Sequence, residues 1–187
     1  LYVVSGGNEF MANDKLYQDR LYLNDGKGNF SKMEGSVPEI FQSGSVVATN
    51  DIDQDGDIDL FIGSRVTPGR YPEPPQSYFL ENKNGVFTIA SDKWASDIDL
   101  HGMITDAVFA DLDKDRVEEL IFCGEWMSIN VLKWSNGKFS NITKSIGLSE
   151  WSGWWNTIHI SDLNGDGFPE IMAGNLGLNS QIKTSKQ

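Results

Sequence analysis

Three times in this chain a short acidic loop runs straight into an apolar strand, and that recurrence restricts the folds open to it. The first copy is Asp51-Ile-Asp-Gln-Asp-Gly-Asp-Ile-Asp59, followed by Leu60-Phe61-Ile62-Gly63. The second is Asp111-Leu-Asp-Lys-Asp-Arg-Val-Glu-Glu119 before Leu120-Ile121-Phe122. The third is Asp162-Leu-Asn-Gly-Asp-Gly-Phe-Pro-Glu170 before Ile171-Met172-Ala173. The loops begin 60 and 51 residues apart. A unit repeated at such a period is a supersecondary element that buries its apolar face against its neighbours.

A second motif keeps step with the first. Leu21-Tyr-Leu-Asn-Asp-Gly-Lys-Gly-Asn-Phe30, Tyr78-Phe-Leu-Glu-Asn-Lys-Asn-Gly-Val-Phe87 and Asn130-Val-Leu-Lys-Trp-Ser-Asn-Gly-Lys-Phe139 each read as a hairpin closed by a Gly-containing turn. The runs Ser45–Thr49, Thr105–Ala110 and Thr157–Ser161 lead into the three acidic loops. The unit is therefore strand, acidic loop, strand, connection, strand, Gly turn, strand, which is a blade of a β-propeller. The expectation is an all-β chain, a β-propeller fragment of four-stranded antiparallel blades. Two blades are whole (45–90 and 104–143) and two are partial (1–35 and 155–187). Helical turns are expected only at Ile98–Gly102 and Ile146–Trp154. Such a set does not close a ring of about four to eight blades. The opening Leu1-Tyr-Val-Val-Ser5 reads as a strand rather than a leader, so a segment of a longer protein is expected.

The loops carry a chemistry of their own. Short carboxylates at alternate positions repel one another unless a cation sits among them, and hard oxygens in that density suit Ca²⁺. An EF-hand needs a bidentate Glu at its twelfth position and flanking helices. Here that position holds Ile62, Phe122 or Ala173, and a strand follows. The ligands must close within nine residues, from the side chains at the first, third, fifth and ninth positions and the carbonyl of the seventh. These are Asp51, Asp53, Asp55, Asp59 and the backbone of Asp57; Asp111, Asp113, Asp115, Glu119 and the backbone of Val117; and Asp162, Asn164, Asp166, Glu170 and the backbone of Phe168. Gly56 and Gly167 stand at the sixth position, where the backbone must turn through positive φ. Arg116 stands there in the second loop, which ranks that loop last for binding. The third loop, with an amide among its ligands, ranks below the first.

Each acidic loop with its strand and hairpin resembles the FG-GAP or VCBS repeat, the blade of integrin α-subunit propellers and of many bacterial surface proteins. The resemblance covers nearly the whole chain. Gly63-Ser-Arg-Val-Thr-Pro-Gly-Arg-Tyr-Pro72, Gly124-Glu-Trp-Met127 and Gly174-Asn-Leu-Gly-Leu-Asn179 are similar to stretches of VCBS proteins that carry an ASPIC/UnbV-type domain. The resemblance implies that Ca²⁺ holds the loop between the first two strands of a blade and is not catalytic.

A formal net charge of −12 and the lack of Lys/Arg clusters argue against nucleic acid. No apolar run is long enough for a membrane span. The lone Cys123 lies in an apolar run and reads as a buried, inert thiol. Outside the acidic loops, Arg65, Arg70 and Tyr71 in the proline-rich connection Arg65–Gln76 are candidates for partner contact, because a connection of that length often carries function. Trp126, Trp151, Trp154 and Trp155 form an aromatic region suited to stacking on sugars, although packing between sheets is the plainer reading. His101, His159, Asp97 and Asp99 read as rim or loop residues rather than catalytic groups, and Asn141-Ile-Thr143 matches a glycosylation sequon. These features favour a calcium-binding module of a secreted, cell-surface or periplasmic protein, with a protein or carbohydrate ligand. The alternative is the propeller part of a carbohydrate-active enzyme of lyase or dehydratase type.

Overall fold

A computed structural model describes residues 1–177. Strands β1 (Tyr2–Val3), β2 (Arg20–Asn24) and β3 (Phe30–Lys32) form one antiparallel sheet. Strands β4 (Ser43–Asn50), β5 (Asp59–Val66), β6 (Tyr78–Lys83) and β7 (Val86–Ile89) form a second, in sequence order. Next come β8 (Met103–Ala110), β9 (Glu119–Met127), β10 (Asn130–Ser135) and β11 (Lys138–Asn141), again paired in sequence order. Strands β12 (Gly153–Ser161) and β13 (Glu170–Asn175) pair with each other, and the start of β12 also joins the end of β9 through Gly153 and Trp154. The architecture is the expected all-β propeller type.

The apolar runs after the first two acidic loops are buried on both faces, Ile171–Ala173 after the third is half-buried, and the pleat explains how. Successive side chains on a strand point to opposite sides. On β5, Leu60 and Ile62 pack with Leu80, Phe87, Tyr2 and Leu21 toward the first sheet. Between them, Phe61 faces the third sheet and joins Phe79, Leu120, Phe122 and Phe139. On β9 the same alternation sends Ile121 and Cys123 toward Ile158 of β12. Each blade is thus sealed by its neighbours.

The helical turns lie elsewhere than expected. A 3₁₀ turn spans Lys15–Tyr17, started by the Asp14 side chain accepting from the Leu16 N–H. One α-turn, α1, spans Ser91–Trp94 and delivers Trp94 into the core at 0% exposure. Within 98–102, His101 instead bridges to Gln76, and 146–152 is a series of turns before β12 begins at Gly153. In both real cases a buried aromatic, Tyr17 or Trp94, fixes the turn, and local sequence carries no trace of that tertiary demand. Among the described residues no helix is long and apolar enough to cross a membrane.

Candidate functional site

The three acidic loops close in one register. Asn50 pairs with Asp59, Ala110 with Glu119 and Ser161 with Glu170, so every ninth-position carboxylate opens the second strand of its pair. The sixth position is left-handed in all three, with φ of 97° at Gly56, 72° at Arg116 and 89° at Gly167. Arg116 therefore takes the glycine conformation without breaking the loop. The fourth position is left-handed as well, at Gln54, Lys114 and Gly165, which the sequence pattern did not reveal.

One hydrogen-bond ladder recurs in each loop. The first-position carboxylate accepts from the sixth N–H: Asp51 from Gly56 at 3.1 Å, Asp111 from Arg116 at 2.9 Å, Asp162 from Gly167 at 2.8 Å. Asp53, Asp113 and Asn164 each accept from the N–H two residues on, and Asp55, Asp115 and Asp166 do the same. The ninth-position carboxylate reaches back to the second N–H, from Asp59 to Ile52, Glu119 to Leu112 and Glu170 to Leu163. Backbone donors thus orient the carboxylates, most of which keep a second oxygen for the loop centre, while Asp59 accepts from both Ile52 and Asn82 and Asp162 from both Gly165 and Gly167.

What fills the centre differs from loop to loop. In the first, oxygens of Asp51, Asp53 and Asp59 come within 4.8 Å of one another, and Asp51 Oδ1 is buried without a donor. Burial pushes the Asp59 carboxyl up to about 6, despite the N–H groups of Asn82 and Ile52, and the charges of Asp53 and Asp55 push the same way. Such an orphaned oxygen in a nest of carboxylates fits a hard cation. Asp57 turns its side chain outward to the Asn84 N–H at 2.7 Å, tying the loop to the β6–β7 turn.

In the second loop Asp111, Asp113 and Asp115 converge in the same way, but the Lys133 ammonium reaches in from β10. Burial works against its charge, yet the carboxylates of Asp113, Asp115 and Glu119 hold its pKa above the ordinary lysine range. In the third loop the Asn164 amide donates to Asp166 at 3.0 Å and to Glu170 at 3.1 Å, and Asp162 Oδ1 is taken by the Gly165 N–H.

A different cluster forms at the opposite ends of β5 and β9. Arg65 donates to Glu125 Oε1 through Nε at 2.9 Å and Nη2 at 2.6 Å, and the Tyr71 hydroxyl donates to Glu125 Oε2 at 3.2 Å. Trp126 Nε1 in turn donates to the Tyr71 hydroxyl at 3.1 Å. Trp126 packs on Trp154 with ring centroids 5.2 Å apart. The proline-rich connection and the tryptophan region, separate candidates in the sequence, thus meet in one place. Beside them a cavity of about 330 Å³ is lined by Pro72, Pro74, His101, Glu125, Trp126 and Met127. Trp126 sits at φ 61°, an outlier for a bulky side chain. It is also 48% exposed.

The remaining candidates have local roles. Trp94 and Trp134 belong to the core, while Trp151 is exposed and accepts on its carbonyl from Trp155 Nε1. His101 pairs with Asp99 at 2.7 Å, Asp97 with Lys138 at 3.2 Å, and Arg70 with Glu73 at 3.1 Å, all exposed. His159 is exposed on β12. Cys123 is buried, and burial pushes its thiol up to about 11. Of the stretch Gly174–Asn179, positions 178 and 179 lie outside the described residues.

The FG-GAP-like repeat family matches residues 51–122 and 111–173, two overlapping segments that each begin at the first position of an acidic loop and end in the strand after the next loop. No curated protein matches the chain. The repeated ladder, the blade register and this match agree, and the chain belongs to the FG-GAP-like repeat family.

Proposed function

We propose that this chain is a calcium-held propeller segment of a secreted, cell-surface or periplasmic protein, and that it binds neutral carbohydrate at the Tyr71–Trp126–Trp154 end. Calcium at Asp51–Asp59 would neutralise carboxylates that the backbone ladder has already oriented, locking β4 to β5. The third loop takes its ion less readily, because the Asn164 amide must give up its two carboxylate partners. Calcium thus supports the blades, and recognition belongs to the far end of β5 and β9.

The observation that carries the binding reading is the chain Arg65–Glu125–Tyr71–Trp126, which fixes polar groups beside half-exposed aromatic faces. Sugars offer the matching chemistry, an apolar C–H face for a ring and hydroxyls for fixed donors and acceptors. Glu125 neutralises Arg65, so an uncharged glycan suits the site better than an acidic one. Glu125 is committed to three donors on Arg65 and Tyr71, an arrangement that positions a ligand rather than moves protons, and this favours a binding module over an enzyme.

Titration with neutral oligosaccharides, followed by tryptophan fluorescence, tests the site. The expected result is a saturable change that Trp126→Ala abolishes and Tyr71→Phe weakens, with thermal midpoints close to wild type. A saturable response to peptides and none to oligosaccharides would refute the carbohydrate reading.

A further inference from the structure

The second acidic loop already holds a cation, and it belongs to the chain. We propose that the Lys133 ammonium is the resident counter-ion of Asp111–Glu119, so that this loop takes no calcium and its blade is closed without metal. Lys133 Nζ lies 2.6 Å from Asp113 Oδ2, 2.7 Å from Asp115 Oδ2 and 3.0 Å from Glu119 Oε1. Those oxygens belong to the third, fifth and ninth positions. They are the ones left over after Asp113 Oδ1, Asp115 Oδ1 and Glu119 Oε2 have bonded backbone N–H groups. Three carboxylate oxygens thus lie within ion-pair distance of one ammonium. Its contact with Asp113 Oδ2 is a hydrogen bond, while Glu119 Oε1 receives charge but no hydrogen bond. Asp111 Oδ1, the fourth inward oxygen, is left without a donor.

Strand register explains why this loop has such a cation and the first does not. Leu132 pairs with Leu120, and Leu80 pairs with Leu60, so Lys133 and Glu81 occupy equivalent places one residue further along the third strand. The sign of the charge is reversed between them. Glu81 is bonded by Lys83 at 2.9 Å and Lys93 at 3.0 Å. The first loop therefore has no tethered ammonium at this place. Lys133 is anchored on a strand whose neighbours Val131 and Leu132 are fully buried. Its head is held at a high effective concentration without the loss of translational freedom that a free ion suffers. Glu119, at 1% exposure, receives its counter-charge from within the fold.

The ion count in this inference rests on the calcium reading of the other loops, so the test has two readouts. Native mass spectrometry counts calcium on the wild type and on Lys133→Gln. Reductive methylation of the wild type, mapped by peptide, compares Lys133 with the exposed Lys138 in calcium and in chelator. The expected result is one more ion on K133Q than on the wild type, with Lys133 protected equally in both buffers. A wild type that fills all three loops, or a Lys133 that becomes reactive when calcium is added, overturns the inference. If neither protein takes calcium, the calcium reading fails and methylation in chelator decides alone. Protection of Lys133 then upholds its role, and reactivity equal to Lys138 ends it. The methylation arm uses only wild-type protein, so a K133Q variant that does not fold leaves the test intact.

Discussion

Phe139 of β11 lies stacked on Phe79 of β6, with ring centroids 4.6 Å apart and planes 15° from parallel. The contact crosses from one blade to the next, and Trp94 and Trp134 close around it edge-on. The phenylalanine that ends one hairpin is therefore an inter-blade fastener. Phe30 ends the matching hairpin of the first sheet but is 50% exposed. Phe139→Ala should cost about 3–5 kcal/mol, the usual range for a buried Phe lost to a cavity. Phe30→Ala should stay within about 0.5 kcal/mol, as surface changes do. Urea denaturation of both variants checks this, and similar losses would contradict the fastener role.

The glycine that ends each apolar run does a related job. Gly63, Gly124 and Gly174 pair with Val46, Ile104 and Thr157, each beside a register shift in the preceding strand. A Cβ on Gly124 would stand 2.1 Å from the Met103 carbonyl oxygen and 2.7 Å from its carbon. On Gly174 it would meet first a Thr157 methyl at 3.0 Å, and a side chain can turn away. Gly124→Ala should cost at least about 1–3 kcal/mol, since overpacking against backbone has no cheap relief. Gly174→Ala should cost clearly less, and equal midpoint losses for the two variants would count against the close-approach account.

The blades were legible because loop and hairpin recur in register, and each repeat states its own strand order. The acidic clusters were legible because alternate spacing brings short carboxylates together in a nine-residue loop. Lys133 was not: it lies 14 residues beyond Glu119. In the hairpin alignment Glu81 takes its place, so only the pairing of β10 on β9 discloses its role. Tyr71 and Trp126 are 55 residues apart and meet because β5 and β9 end side by side. Arg116 takes the left-handed conformation of the sixth position without breaking the loop, and its N–H bonds Asp111 as Gly56 bonds Asp51.

Acid should affect the first sheet in a way that isolates one group. Asp19 is 8% exposed and accepts from the Ser5 N–H at 2.7 Å and the Tyr2 hydroxyl at 3.0 Å. Burial outweighs those bonds and the nearby Arg20, and pushes its carboxyl from an ordinary 3.8 up to about 6. The folded state thus holds this proton more tightly than the unfolded chain. Its stabilising contribution is complete below about 3.8 and is lost as pH rises through about 6. In chelator, acidifying from about pH 7 to about pH 5 should therefore favour the wild type over Asp19→Asn by about 1 kcal/mol. Urea titrations at the two pH values measure the difference, and parallel pH slopes for the two proteins would exclude Asp19 as the source.

Thermal unfolding with calcium and with chelator asks whether Asp51–Asp59 is a calcium loop that holds its blade together. At calcium about one hundredfold above Kd, one site adds about 2.7 kcal/mol, or about 5–10 °C in a chain of this size. The expected result is that shift in the wild type, its loss in the Asp51→Ala, Asp53→Ala double variant, and its retention when Asp111 and Asp113 are replaced by Ala. Equal midpoints with and without chelator in the wild type would contradict it.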